Sequence, residues 1–156
     1  MGEHVVGSEY VKMTPAADKS IWSASVNKKE FELLINSNAV LLDVLRDQVG
    51  TLGVKRGCDL GTCGCCTVMI DGEPRLSCLC LAGQVSGSEI ITVEGLADGA
   101  HLAPIQACFA KYGGSQCGFC TPGFLIASQA LLEANPSPTN DEVAEANGRG
   151  IGAQHL

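Results

Sequence analysis

Gly57-Cys58-Asp59-Leu60-Gly61-Thr62-Cys63-Gly64-Cys65-Cys66, taken with Cys78 further on, is the stretch that decides the architecture. It spaces four thiols as Cys58-x4-Cys63-x2-Cys66-x11-Cys78. A C-x4-C-x2-C run with a distant fourth cysteine is the plant-type ligand set of a [2Fe-2S] cluster. Three ligands on one tight loop surround one side of a small sulfide-bridged pair of irons, and the fourth arrives from a neighbouring segment. Such a loop is poor in side chains, because backbone N–H groups must turn toward sulfur. Gly57, Gly61 and Gly64 interleave with the cysteines as that close approach requires. The chemistry implied is one-electron transfer. The competing reading is structural zinc on four thiolates, but zinc sites favour paired C-x2-C knuckles over three ligands around one loop.

Outward from this loop, alternating residues predict two strands at Ile21 to Asn27 and Glu30 to Ile35, joined at Asn27-Lys28-Lys29. A helix is expected next, capped by Asn38, carrying Leu41, Val44, Leu45 and Val49 on one face and stopped by Gly50. Beyond the loop, Thr67 to Ile70 and Arg75 to Ser77 flank Asp71-Gly72, a hairpin signal. Glu89 to Val93 reads as a last strand. From about Leu102 the pattern is helical. A first helix starts at Pro104, with Ile105, Cys108, Phe109 and Tyr112 on one face and Gly113-Gly114 at its end. A second opens at Thr121-Pro122, carries Leu125, Ile126, Leu131 and Leu132, and stops at Asn135-Pro136. A third opens at Thr139, where Glu142 completes a capping box. Before it, Gln116-Cys117-Gly118-Phe119-Cys120 places two more thiols in the approach to a helix N-terminus, where backbone N–H groups and the helix dipole favour anions. By themselves, Cys117 and Cys120 fit a redox dithiol or half a zinc knuckle. The expected class is therefore α+β: a flexible leader over 1–20, a cluster-bearing domain over 21–96 and a helical domain over 100–156.

With 46% hydrophobic and 17% charged residues, the 156-residue chain is that of a folded protein. Aromatics are only 4%, so small units built from Leu, Val, Ile and Ala depend on cofactors or partner subunits for part of their stability. A net charge of -7 leaves no basic patch for nucleic acid. No run reaches membrane-spanning length, and Met1 to Ser20 shows no secretion signal. Nine cysteines without an export signal point to a reducing, cytoplasmic setting, in which thiols serve as metal ligands more than as disulfides. No nucleophile–base pair or phosphate loop appears, so substrate chemistry is expected on another subunit. Cys65 reads as a non-ligand within the loop, Cys80 and Cys108 as small core hydrophobes, and His4 and His101 as surface residues.

The chain resembles the small iron-sulfur subunit of the molybdenum hydroxylases, the group of xanthine dehydrogenase, carbon monoxide dehydrogenase, aldehyde oxidoreductases and 4-hydroxybenzoyl-CoA reductase. The resemblance runs from about Ile21 to Ala146. It rests on Gly57-Cys58 through Cys63-Gly64-x-Cys66-Thr67-Val68, on Ser77-Cys78-Leu79, and on Gln116-Cys117-Gly118-Phe119-Cys120-Thr121-Pro122-Gly123. It implies a ferredoxin-like β-grasp domain followed by a helical domain, each with a [2Fe-2S] cluster. Cys58, Cys63, Cys66 and Cys78 would bind the one nearer the flavin of an FAD-binding subunit. Cys117 and Cys120 would bind the one nearer the molybdopterin of a large subunit, with Gln116 against the pterin edge. Electrons would pass between the two cofactors through both clusters. The alternative is a free-standing ferredoxin, against which the helical extension argues. The family completes its second site with a C-x-C that falls here on Gly152 and Gln154. The expectation is therefore a helical domain incomplete at its C-terminus, with a second cluster that is absent or built from substitutes. His155 is the imidazole candidate for such a substitute, against the plainer reading of a solvated terminal histidine.

Overall fold

The computed structural model describes residues 18–148. Strands β1 (Lys19–Val26) and β2 (Lys29–Asn36) form an antiparallel hairpin. Its turn sets Asn27 at φ 51° and Lys28 at φ 65°, the paired positive dihedrals of a two-residue connection that matches strand twist. Asn27 secures it: the side-chain amide donates to Thr92 Oγ1 at 2.9 Å, and Oδ1 accepts from the Thr92 N–H at 2.9 Å. Trp22, Ala24 and Val26 point inward along β1 with period two, while Ile21 lies outward and exposed.

Strands β3 (Thr67–Ile70) and β4 (Glu73–Leu76) form the second hairpin around Asp71 and Gly72. β4 starts two residues earlier than Arg75, taking in Pro74, and Ser77 already belongs to a 3-10 turn over Ser77–Leu79. Proline is tolerated there because β4 is an edge strand. β5 (Glu89–Ile91) pairs parallel with β1 and antiparallel with β3, giving the sheet order β2-β1-β5-β3-β4.

Helix α1 (Leu41–Asp43) runs directly into a π-helical turn, Val44–Val49, and Gly50 ends it at φ 88°, donating its N–H to the Leu45 carbonyl. Asn38 does not cap this helix. Val40 holds the cap position without a side-chain bond. The start is instead tied by the Leu41 N–H to the Cys80 carbonyl at 2.8 Å and by the Ala82 N–H to the Ala39 carbonyl at 2.9 Å. Backbone pairing with the segment after Cys78 replaces the side-chain cap. Leu41, Leu42, Val44 and Leu45 pack with Trp22, Ala24, Val26, Ile35, Val68 and Ile90 in the main core.

The helical part packs on the other face of the sheet. In β3 all four residues are buried: Val68 and Ile70 face the main core, while Thr67 and Met69 lie on the face over which α3 (Thr121–Ala134) packs. α3 buries Gly123, Leu125, Ile126, Ala127 and Ser128. Helix α2 (Pro104–Lys111) buries no residue. Its expected apolar face is only half covered, and Cys108 is exposed rather than a core hydrophobe. What anchors α2 is Gln106, whose Oε1 accepts from the Ala103 N–H at 2.9 Å while its amide donates to the Val93 carbonyl at 3.0 Å. Helix α4 (Asn140–Gly148) begins as expected: the Thr139 N–H donates to the Glu142 carboxylate at 2.7 Å, and the Glu142 N–H to Thr139 Oγ1 at 3.3 Å. No helix among the described residues is long and apolar enough to cross a membrane.

Candidate metal centre

The loop between the π-helical turn and β3 is held at both ends by backbone carbonyl partners. Arg46 donates to the Val54 carbonyl at 2.6 Å, and the Lys55 N–H donates to the Cys65 carbonyl at 3.1 Å. Ser77, fully buried, donates its N–H and its hydroxyl to the Cys66 carbonyl at 3.2 and 2.8 Å. Those two hydrogen bonds hold the next residue, Cys78, beside Cys66. A distant cysteine thereby joins the loop.

A narrow cavity is lined by Cys58, Cys63, Cys66 and Cys78, with Leu42, Lys55, Arg56, Gly57 and Asp59. All four thiols of the first motif meet there, and Cys65 is outside it. The Cys65 thiol faces the Cys63 carbonyl at 3.7 Å. Among the described residues no three His, Cys, Asp or Glu side chains converge as a single metal ion would require.

Donors converge on sulfur. The N–H groups of Leu60 and Cys63 each donate to Cys58 Sγ at 3.4 Å. The Leu60 N–H first, then the Thr62 hydroxyl and the N–H groups of Cys63 and Thr62, bring the Cys58 thiol down to about 6, into the range where the ligating thiolate prevails at neutral pH. Burial, reinforced by Cys66, pushes Cys78 up to about 12. Burial, then Cys63, pushes Cys65 up to about 12 as well, and Cys65 is not among the residues lining the cavity.

Gly57 shows how closely the backbone approaches. A methyl there would lie 2.6 Å from Cys63 Sγ and 3.3 Å from Cys65 Sγ. Gly61, at φ 73°, lies equally close to Leu79, whose Cδ1 would be 2.4 Å from an added Cβ. Gly57→Ala is expected to cut the iron retained per chain severalfold while far-UV circular dichroism stays unchanged. Undiminished iron in that variant would show that Gly57 does not shape the cavity.

The second motif is open. Cys117, Cys120 and Gln116 are exposed. Gly118 turns between the thiols at φ 78°, and Cys120 sits at the N-cap of α3, its carbonyl accepting from Gly123 at 3.0 Å and Phe124 at 3.2 Å. Among the described residues these two thiols gain no further ligand. Gly152, Gln154, His155 and His4 lie outside the described residues. His101 is exposed in a short turn with Asp98, and Cys80 is half-buried against the main core, as expected. Sequence reasoning passed over Arg56 and Gln106, and it quoted Ser77 only as part of the Ser77-Cys78-Leu79 motif. Arg56 pairs with both Asp43 and Asp59; its only sequence signal is a cation directly before Gly57-Cys58 in an acidic chain.

Two family models match: "2Fe-2S iron-sulfur cluster binding domain" over residues 10–110, and "[2Fe-2S] binding domain" over residues 92–151. The nicotine 6-hydroxylase small subunit of Paenarthrobacter nicotinovorans is 46% identical over 134 residues, covering 85% of this chain and 81% of that protein. The nicotinate dehydrogenase small FeS subunit of Eubacterium barkeri is 43% identical over 122 residues, 78% of each. The crystal structure of quinoline 2-oxidoreductase from Pseudomonas putida superposes with a TM-score of 0.83 at 41% identity, over 88% of this chain and 85% of that one. The sheet, the cysteine loop and the helices thus share both sequence and fold with these proteins. The chain belongs to the small [2Fe-2S] subunits of the multi-subunit molybdenum hydroxylases, whose part in those oxidoreductases is electron transfer.

Proposed function

We propose that Cys58, Cys63, Cys66 and Cys78 hold one [2Fe-2S] cluster and that the chain relays single electrons between a molybdopterin site on a large subunit and a flavin, or another acceptor, on an FAD-binding subunit. The observation that carries this is the meeting of those four thiols around one cavity, with N–H donors already aimed at Cys58 Sγ. When bound, the cluster supplies reversible uptake of one electron. The protein's part is to hold the thiolates, aim backbone donors at sulfur and, through Leu42, Val54 and Cys66, keep water from the inner side. The nine cysteines, read as metal ligands more than as disulfides, support a cytoplasmic setting. Nothing in the comparisons favours a free ferredoxin.

At the second site, Cys117 and Cys120 would be two of the ligands of another [2Fe-2S] cluster, with Gln116 toward the pterin edge. Among the described residues, Cys117 and Cys120 supply two of the four sulfurs such a cluster needs. Gly152 has no donor side chain and Gln154 no thiol, and the second family match ends at residue 151. The described residues therefore do not by themselves fit that cluster, and no electron step is assigned to it.

The test is iron and acid-labile sulfide quantification with EPR of the dithionite-reduced chain. About two irons with one plant-type signal is the expected result for a single [2Fe-2S] centre. About four irons would overturn the incomplete second site, and zinc without iron or sulfide would sink the whole reading.

A further inference from the structure

We propose that Arg56 sets the reduction potential of the first centre as a positioning and charge-compensating residue. The inference rests on the assignment of Cys58, Cys63, Cys66 and Cys78 as ligands. Arg56 immediately precedes Gly57-Cys58 and lines the same cavity as the four thiols. One guanidinium nitrogen bonds the Asp43 carboxylate and another bonds that of Asp59. Asp43 ends α1 beneath the loop, and Asp59 lies between Cys58 and Cys63 at φ 55°, a left-handed position unusual for a side-chain-bearing residue. Arg56 thus fastens the strained middle of the ligand loop to the adjacent helix.

Its charge matters as much as its reach. A guanidinium remains protonated at any pH the protein meets. A four-thiolate centre is anionic and becomes more so when reduced, so a nearby cation favours the reduced form and a nearby carboxylate opposes it. Arg56 is one cation facing two carboxylates, of which Asp59 lines the cavity; Lys55 is the other cation lining it. Removing Arg56 leaves Asp43 and Asp59 uncompensated beside the centre. All three side chains are 41–53% exposed, so mobile ions screen the effect, and it is largest at low ionic strength.

EPR-monitored redox titration of the full chain, at low and at high salt, tests this. Arg56→Gln is expected to shift the reduction equilibrium about tenfold toward the oxidised form at low salt, about 59 mV for one electron, and by less at high salt. Arg56→Lys, which keeps a charge without the two-pronged grip, is expected to restore most of that shift. Asp43→Asn is expected to move the equilibrium the opposite way, and it decides the matter if Arg56→Gln fails to retain iron. An Arg56→Gln potential equal to that of the unaltered protein, a shift indifferent to salt, or no rise in Asp43→Asn would overturn the proposal. Absence of a plant-type signal from the unaltered chain would instead refute the ligand assignment beneath it.

Discussion

Cys63→Ser is expected to abolish the plant-type EPR signal and remove about two irons per chain, the content of one [2Fe-2S] centre, while Cys65→Ser retains both. The two residues are neighbours but for Gly64, both are cysteines in a glycine-rich loop, and spacing alone only favours one over the other. Their surroundings separate them. Cys63 lines the cavity and its N–H serves Cys58 Sγ; Cys65 is buried, faces a carbonyl, and is pushed up to about 12 mainly by burial. A serine hydroxyl at position 63 is a poor substitute for a soft thiolate on iron. At position 65 it would still find the Cys63 carbonyl. Loss of the signal in Cys65→Ser would overturn the ligand assignment.

The second large effect concerns stability. Trp22→Ala should cost about 3–5 kcal/mol, a large share of the total of about 5–15 kcal/mol typical of a domain. Trp22 is fully buried at the centre of the main core, between the sheet and α1. Its Nε1 has no hydrogen-bond partner among the described residues. Trp22→Phe removes that orphaned donor together with part of the ring, and the two changes oppose each other. Its cost should stay under about 1.5 kcal/mol. Denaturant midpoints of the iron-loaded chain at equal slope measure both. A Trp22→Phe loss as large as that of Trp22→Ala would overturn this expectation.

Both hairpins were readable because their turns need positive φ, and Asn27 and Asp71-Gly72 are residues that supply it. The metal loop was readable because cluster geometry restricts cysteine spacing. The helix after β2 was placed correctly, but its cap and its widened turn were not. Leu41, Val44, Leu45 and Val49 recur at intervals that suit an ordinary helix, whereas the Gly50 N–H reaches back five residues to Leu45 at the end of the π turn. Likewise, no local signal tells that backbone from the Cys80 segment replaces Asn38 as the cap. Tertiary pairing decided both. The apolar face expected on α2 was overstated because only Ile105 and Phe109 find partial cover, while Tyr112 stands exposed under the Lys111 ammonium, 5.1 Å from its ring centre.

The strip Thr67–Met69 has solid protein on either side, the main core on one and α3 on the other. Severing the chain near residue 97 would therefore strand a wet methionine on the sheet half and leave Leu125 and Ile126 bare on the helical half. The halves are not interchangeable cassettes. A swap with a homologue would have to carry the β3 residues and their covering helix together, as a matched pair.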